Sequence, residues 1–329
     1  MPLTNFPNGI TSFGVPVLGG SGFPSGGTHF FVDPANGSDG NTGKAWDDAY
    51  KTLGKAHTKA TAGKNDVVWL IGNGAASGSA RLSATLTWSK NATHLIGIAG
   101  PTRVGGRARI APTASTTLFT PMVTWSADGC YVDNIHMFHG FDDESTAIGC
   151  LNVTGQRNYF SNCHIAGIGH AEAGDQAASY SLKLTGDGEN TFDSCTIGLD
   201  TINRSTTCAE IEMVSAAVRN TFRGCLIINI ADSAGALFVK IDGSGDIDRW
   251  VLFDDCLFIS GTNSTGTTMT AAMDVHASAG GHVICKDSWI VGATDWEAAD
   301  STIIQLCETG NSVAADIKAI GIANTVDVT

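Results

Sequence analysis

The chain has 329 residues, 40 of them glycine, and a net charge of −13 with only 16 % charged side chains. Such an acidic balance argues against nucleic acid and anionic membrane as partners, and no apolar run is long enough to span a bilayer. Nine cysteines without a Cys-x-x-Cys pair read as small buried apolar side chains, not metal ligands or a disulfide framework. With nothing at the N-terminus resembling a secretory leader, they point to folding in a reducing cytoplasm.

Residues 1–27 hold four of the chain's eight prolines and no charged side chain. Leu3, Phe6, Ile10, Phe13, Val15, Val17 and Phe23 are scattered there without helical or strand period. A free linker would be polar, so the composition predicts an extended apolar arm that orders on a partner surface. Burying one such side chain is worth roughly 1.5–3 kcal/mol before ordering entropy is subtracted.

Residues 28–65 form an entry strand around Phe30–Val32 and then a helix. Ala49, Leu53, Ala56 and Ala60 recur at helical spacing, with Asp47 and Asp48 at its N-terminus. That helix would plug the open end of a stacked array, because solenoids need caps. Asp33, Asp39 and Asn41 make an oxygen-rich entry loop that could hold calcium. Val67–Ile71 and His94–Ile98 are the first coils.

Residues 66–329 are governed by a repeat of about thirty residues. Its shared position falls on Phe160, Phe192, Phe222, Phe253 and Cys285, with Val132 one step earlier and Ile317 one step later. Three residues on stand Cys163, Cys195, Cys225 and Cys256, and two before stand Asn158, Asn190 and Asn220. Each unit also carries an apolar-polar-apolar triplet: Leu151–Val153, Leu182–Leu184, Ile211–Met213, Val239–Ile241, Met273–Val275 and Ile304–Leu306. Alternation of period two marks strands with one buried face. Short strands, glycine-rich turns and this period predict an all-β fold: a single-stranded right-handed parallel β-helix with an N-terminal capping helix and an extended arm.

Outward positions follow from the register. The triplets present Asn152, Lys183, Glu212, Lys240, Asp274 and Gln305, an ordinary solvated ladder of alternating charge. The other strand of each unit presents His136 and Phe138, then His164, Thr196, Leu226 and Ile228, Leu257 and Ile259, and Trp289 and Val291. An apolar stripe of that size marks a contact surface. It predicts either a covering loop or association of copies, with a homotrimer favoured. Asp193 and Asp254 share a third register, separated by Arg223, with Asp133 beyond Ser161; this gives no carboxylate pair on adjacent rungs.

The run Val32-Asp33-Pro34 with Gly37-Ser38-Asp39-Gly40-Asn41-Thr42-Gly43, the helix, and the Asn-x-Phe-x-x-Cys-x-Ile rungs resemble the pectin-lyase-like superfamily of right-handed β-helices over residues 28–329. Leu3 to Pro16 resembles the start of bacteriophage structural proteins. Those resemblances imply a non-enzymatic virion protein made in the host cytoplasm. It would be a trimeric capsid-decoration or cement protein, held by its arm on the major capsid protein or another virion protein, with no cofactor. The alternative is a tailspike-like carbohydrate-binding or polysaccharide-degrading β-helix, which a groove lined by Trp125, Trp250 or Trp296 would favour.

Overall fold

The computed structural model describes residues 26–113, 119–140, 149–186, 188–261 and 266–297, and the short strands Thr11–Ser12, Val15–Pro16, Ile304–Cys307, Gly310–Asn311 and Asn324–Thr325. Three sheets wind into a parallel β-solenoid of about seven turns. Sheet one runs from His29–Val32 through Asp66–Ile71, Thr93–Ile98, Tyr131–Asp133, Tyr159–Ser161, Thr191–Asp193, Ala217–Arg223 and Ile247–Asp254 to Gly280–Lys286 and Ile304–Cys307. Sheet two takes the strands after each corner, among them His136–Phe138, His164–Ala166, Thr196–Arg204, Leu226–Ala231, Leu257–Ser260 and Trp289–Val291. Sheet three holds the triplet strands, from Leu86–Trp88 to Ala293–Glu297.

The repeat is the rung register. Phe160, Phe192, Phe222, Phe253 and Cys285 are successive Cα partners, preceded by Val132 and Leu95. The four phenylalanine rings stack at 4.9, 4.9 and 4.7 Å, nearly parallel. Each such pair adds about 0.5–1.5 kcal/mol beyond area burial. Trp88 and Trp125 continue the aromatic packing in the core at 4.9 Å.

Two polar ladders hold the corners. Asn158 Oδ1 accepts from Cys130 N, Asn190 Oδ1 from Asn158 N, and Asn220 Oδ1 from Asn190 N, at 2.9–3.1 Å. The thiols of Cys195, Cys225 and Cys256 donate to the carbonyls of Phe160, Phe192 and Phe222, one rung back, at 3.3–3.4 Å. On the next rung Ser288 Oγ makes the same bond to the Phe253 carbonyl at 3.2 Å. Cys130, Cys150, Cys163, Cys195, Cys208, Cys225, Cys256 and Cys285 are buried, and none is in a disulfide.

One residue before each of these positions the backbone is left-handed: Asn134, Asn162, Ser194, Gly224, Asp255 and Asp287 all have φ between +49° and +56°. Gly, Asn and Asp tolerate that conformation best. It turns each corner amide toward a carbonyl of the next rung, as in Asn162 N to Asp193 O at 3.0 Å.

Two boundaries differ from the sequence reading. The helix, α1, spans Leu53–Lys59 and is capped by the Thr52 side chain, whereas Trp46–Asp48 is a separate 3₁₀ turn. Ala49 and Tyr50 lie outside the helix because Tyr50 N–H donates to Phe31 O and Tyr50 O accepts from Asp33 N, a bridge to the entry strand. Leu53, Ala56 and Ala60 are buried, as their spacing predicts.

At the other end, Ile304–Leu306 is not a sheet-three triplet. Leu306 pairs with Cys285 in sheet one, and Ala293–Glu297 is the strand beside Met269–Val275. The last rung is short because Gly292, at φ +88°, turns Trp289–Val291 straight into Ala293–Glu297. Gln305 therefore leaves the charge ladder, and Ile317 lies outside the described residues.

Candidate functional site

Solvent meets two parallel ladders on the outer face of sheet one. One runs Tyr131, Tyr159, Thr191, Thr221, Leu252, Ile284; the other runs Asp133, Ser161, Asp193, Arg223, Asp254, Lys286. Their alternation with the buried Phe ladder follows from the period of two.

Asp193 is the hub. Its Oδ2 accepts from the Tyr159 hydroxyl at 2.5 Å and its Oδ1 from Ser194 Oγ at 3.0 Å, and Arg223 Nη1 lies 3.8 Å away. Partial burial, reinforced by this bond to the carboxylate, pushes the Tyr159 phenol up to about 12, so it keeps its proton. The Tyr131 and Tyr159 rings stack at 5.8 Å. One rung before Tyr159, Asp133 Oδ1 accepts from Asn162 Nδ2 at 3.3 Å. Asp133 and Asp193 are two rungs apart, which sets their Cα atoms roughly 10 Å from each other at about 4.8 Å per rung. Farther along, Lys286 is held at 3.0 Å by Asp254 and at 2.5 Å by Asp287.

The arrangement offers a carboxylate with a protonated phenol and a guanidinium beside it, a second carboxylate within reach, and an aromatic wall. It suits proton transfer at a polyhydroxylated substrate. The sequence already put Asp133, Asp193, Arg223 and Asp254 in one register. It missed the tyrosines, whose signal was their shared parity two residues before.

Elsewhere the described residues carry less. Asp33 accepts from the Ala35 and Asn36 amides, and Asp39 from the Lys51 and Thr52 amides and the Thr52 hydroxyl; both brace the entry loop. Asn41 Nδ2 is spent on Ala49 O. Among the described residues no group of three His, Cys, Asp or Glu side chains is placed to hold a metal ion. Trp125 and Trp296 are buried in the core and Trp250 is half-buried in sheet one, so they do not form a common groove.

The sheet-three ladder reads Asn152, Lys183, Glu212, Lys240, Asp274 as expected. Lys183 pairs with Glu212 at 3.0 Å, but Lys240 turns to Asp242. A shallow hollow of about 220 Å³ lies over Tyr180, Lys183 and Glu212.

On sheet two, a loop covers the first part of the apolar stripe's strand. His136 and His164 are buried and stacked at 4.5 Å. His136 Nδ1 lies 3.0 Å from the Gly106 carbonyl, and His164 Nδ1 accepts from Gly105 N at 3.1 Å. Burial, aided by His164, lowers His136 to about 3. Of the residues predicted to meet another subunit, Ile228 is buried, Leu226, Ile259 and Val291 are half-buried, and only Leu257 (37 %) and Trp289 (48 %) are exposed. The stripe is thus narrower than the sequence implied, because Ile228 is not on offer. Leu3, Phe6, Ile10, Phe13, Val17 and Phe23 lie outside the described residues, and Val15 begins a two-residue strand paired with Thr11–Ser12.

No family model and no curated protein matches the chain. Solved structures do. A pectin methylesterase in complex with a hexasaccharide superposes with a TM-score of 0.56 at 16 % identity, over 88 % of this chain and 91 % of that one. The pectin methylesterase from Aspergillus niger gives 0.55 at 18 %, over 92 % of both. The pectate lyase Pel9A gives 0.59 at 13 %, over 91 % of this chain and 74 % of that one. The chain has the right-handed parallel β-helix fold of pectin methylesterases and pectate lyases. These likenesses overturn the expectation of a non-enzymatic protein: its matched neighbours are enzymes.

Proposed function

We propose that the protein is a polysaccharide-active β-helix that binds a glycan along the outer face of sheet one and cleaves it there. The observation that carries this reading is the convergence of Tyr131, Tyr159, Asp133, Asp193 and Arg223 on one solvent-facing surface. Sugar rings have apolar C–H faces and a hydroxyl rim, and that surface has matching aromatic and carboxylate groups.

In this reading Asp193 is the general base, positioned by the Tyr159 and Ser194 hydroxyls. Arg223 stabilises negative charge that develops next to it. Asp133, two rungs away, is the second carboxylate: it would protonate the leaving glycosidic oxygen while Asp193 takes the proton of the attacking water, the division of roles in an inverting hydrolase.

The test is reducing-end release from a polysaccharide panel by the wild type, Asp193→Asn and Asp133→Asn, with melting curves recorded alongside. We expect each variant to lose on the order of 10²–10⁴-fold in turnover while melting at the wild-type temperature. Turnover unchanged in Asp193→Asn would remove Asp193 from the chemistry and with it this reading.

A further inference from the structure

Resting on the polysaccharide reading, the charge of this face points to a narrower substrate class, and we infer that the site takes an uncharged glycan and rejects polyuronates. The polar ladder and its corner residues present Asp133, Asp193, Asp254, Asp255 and Asp287 against two cations, Arg223 and Lys286. Each cation already faces a carboxylate of the same surface. Arg223 lies beside Asp193, and Lys286 is gripped by Asp254 and Asp287 together.

Three other arginines near this sheet are paired with carboxylates, and a fourth has a carbonyl partner. Arg157 and Arg219 both close on Glu189, Arg249 on Asp248, and Arg103 reaches across the corner to the Gly224 carbonyl. A polyuronate brings one carboxylate per sugar onto a surface that is already negative, on a chain of net charge −13. Like charges a rung apart repel within the Debye length of about 8 Å at physiological salt, so the polymer is excluded while hydroxyl-bearing neutral sugars are not. Hydroxyl donors suit carboxylate acceptors, and this face is rich in acceptors.

Affinity electrophoresis of the full chain tests this, with neutral β-glucan, mannan or galactan in one set of native gels and polygalacturonate or alginate in another. The runs are made at low and at physiological salt, with and without calcium. We expect at least tenfold tighter retardation by one of the neutral polymers. The triple variant Asp254→Asn/Asp255→Asn/Asp287→Asn frees Lys286 and keeps Asn at the two left-handed corners. It should raise the ratio of uronate to neutral binding several-fold, more so at low salt.

Retardation by a polyuronate as strong as by any neutral polymer, with or without calcium, overturns the charge selection alone. So does a triple variant whose ratio of uronate to neutral binding equals that of the wild type. Retardation by neither class overturns the polysaccharide reading itself and the selection with it.

Discussion

Arg204 and Glu210 are both fully buried, and replacing Arg204 by Met isolates what their pairing contributes. Arg204 Nε donates to Glu210 Oε1 at 2.7 Å, and its two other nitrogens reach the carbonyls of Ile202 at 2.6 Å and Leu199 at 3.2 Å. Glu210 Oε2 accepts from Ser181 Oγ at 2.5 Å, which in turn accepts from Gly167 N. The site ties the long bulged strand Thr196–Arg204 to the start of Ala209–Val214. Met fills most of the volume, so cavity formation is a small part of the change. What is left is a buried carboxylate with one hydroxyl donor and two carbonyls without their partner. Breaking one side of a buried pair costs about 3–5 kcal/mol.

Removing both charges tells a different story. In Arg204→Met/Glu210→Met no charge is stranded, and such swaps are often neutral or stabilising by about 1–4 kcal/mol. Chemical denaturation of wild type, both single variants and the double variant gives the cycle directly. We expect a large deficit in Arg204→Met and recovery of most of it in the double variant. A single variant within about 0.5 kcal/mol of wild type, or a double variant no better than the worse single one, would refute the reasoning.

Three further outcomes follow from the ladders. Asn190→Ala removes the acceptor for Asn158 N and Nδ2 and the donor to Gly155 O. With buried groups orphaned at about 1–3 kcal/mol each, the thermal midpoint should fall well below that of Asn152→Ala on the solvated face. Ser288→Cys should melt within about 1 kcal/mol of wild type, because Cys256 makes the same rung-back contact through sulfur; a larger loss contradicts the shared corner geometry. Burial holds the folded-state value of His136 at about 3, below its ordinary 6.5, so the neutral ring's contribution is complete above pH 6.5 and is lost as pH falls toward 3. Hydrogen exchange should then show the 100–107 loop opening with acid before the phenylalanine core, and His136→Gln should flatten that dependence.

Much of the fold was legible because the core repeats. Stacking Phe160, Phe192, Phe222 and Phe253 requires one side chain at one spacing, and the corner behind them admits only residues that accept a left-handed backbone or a small buried group. Period failed where a rung changed length. Ile304–Leu306 looks like a sheet-three triplet by pattern, and only the short turn at Gly292 moves it to sheet one. Pattern allowed a covering loop or a second copy over this strand, but not which segment would do it; the loop before Arg109 covers His136 and His164. The candidate site was half legible. Asp133, Asp193, Arg223 and Asp254 share parity, so their common face follows from register. Yet an outward ladder is free to vary from rung to rung, so nothing periodic singled out Asp193. The bond from Tyr159 one rung away depends on a rotamer, which register does not determine.

The most direct measurement is a crystal structure of the full chain with a neutral hexasaccharide bound. We expect sugar density along sheet one, with a ring against Tyr131 and Tyr159 and a hydroxyl within hydrogen-bond distance of Asp193. Density confined to the sheet-three hollow over Lys183 and Glu212, or to the Leu257–Trp289 face, would contradict it.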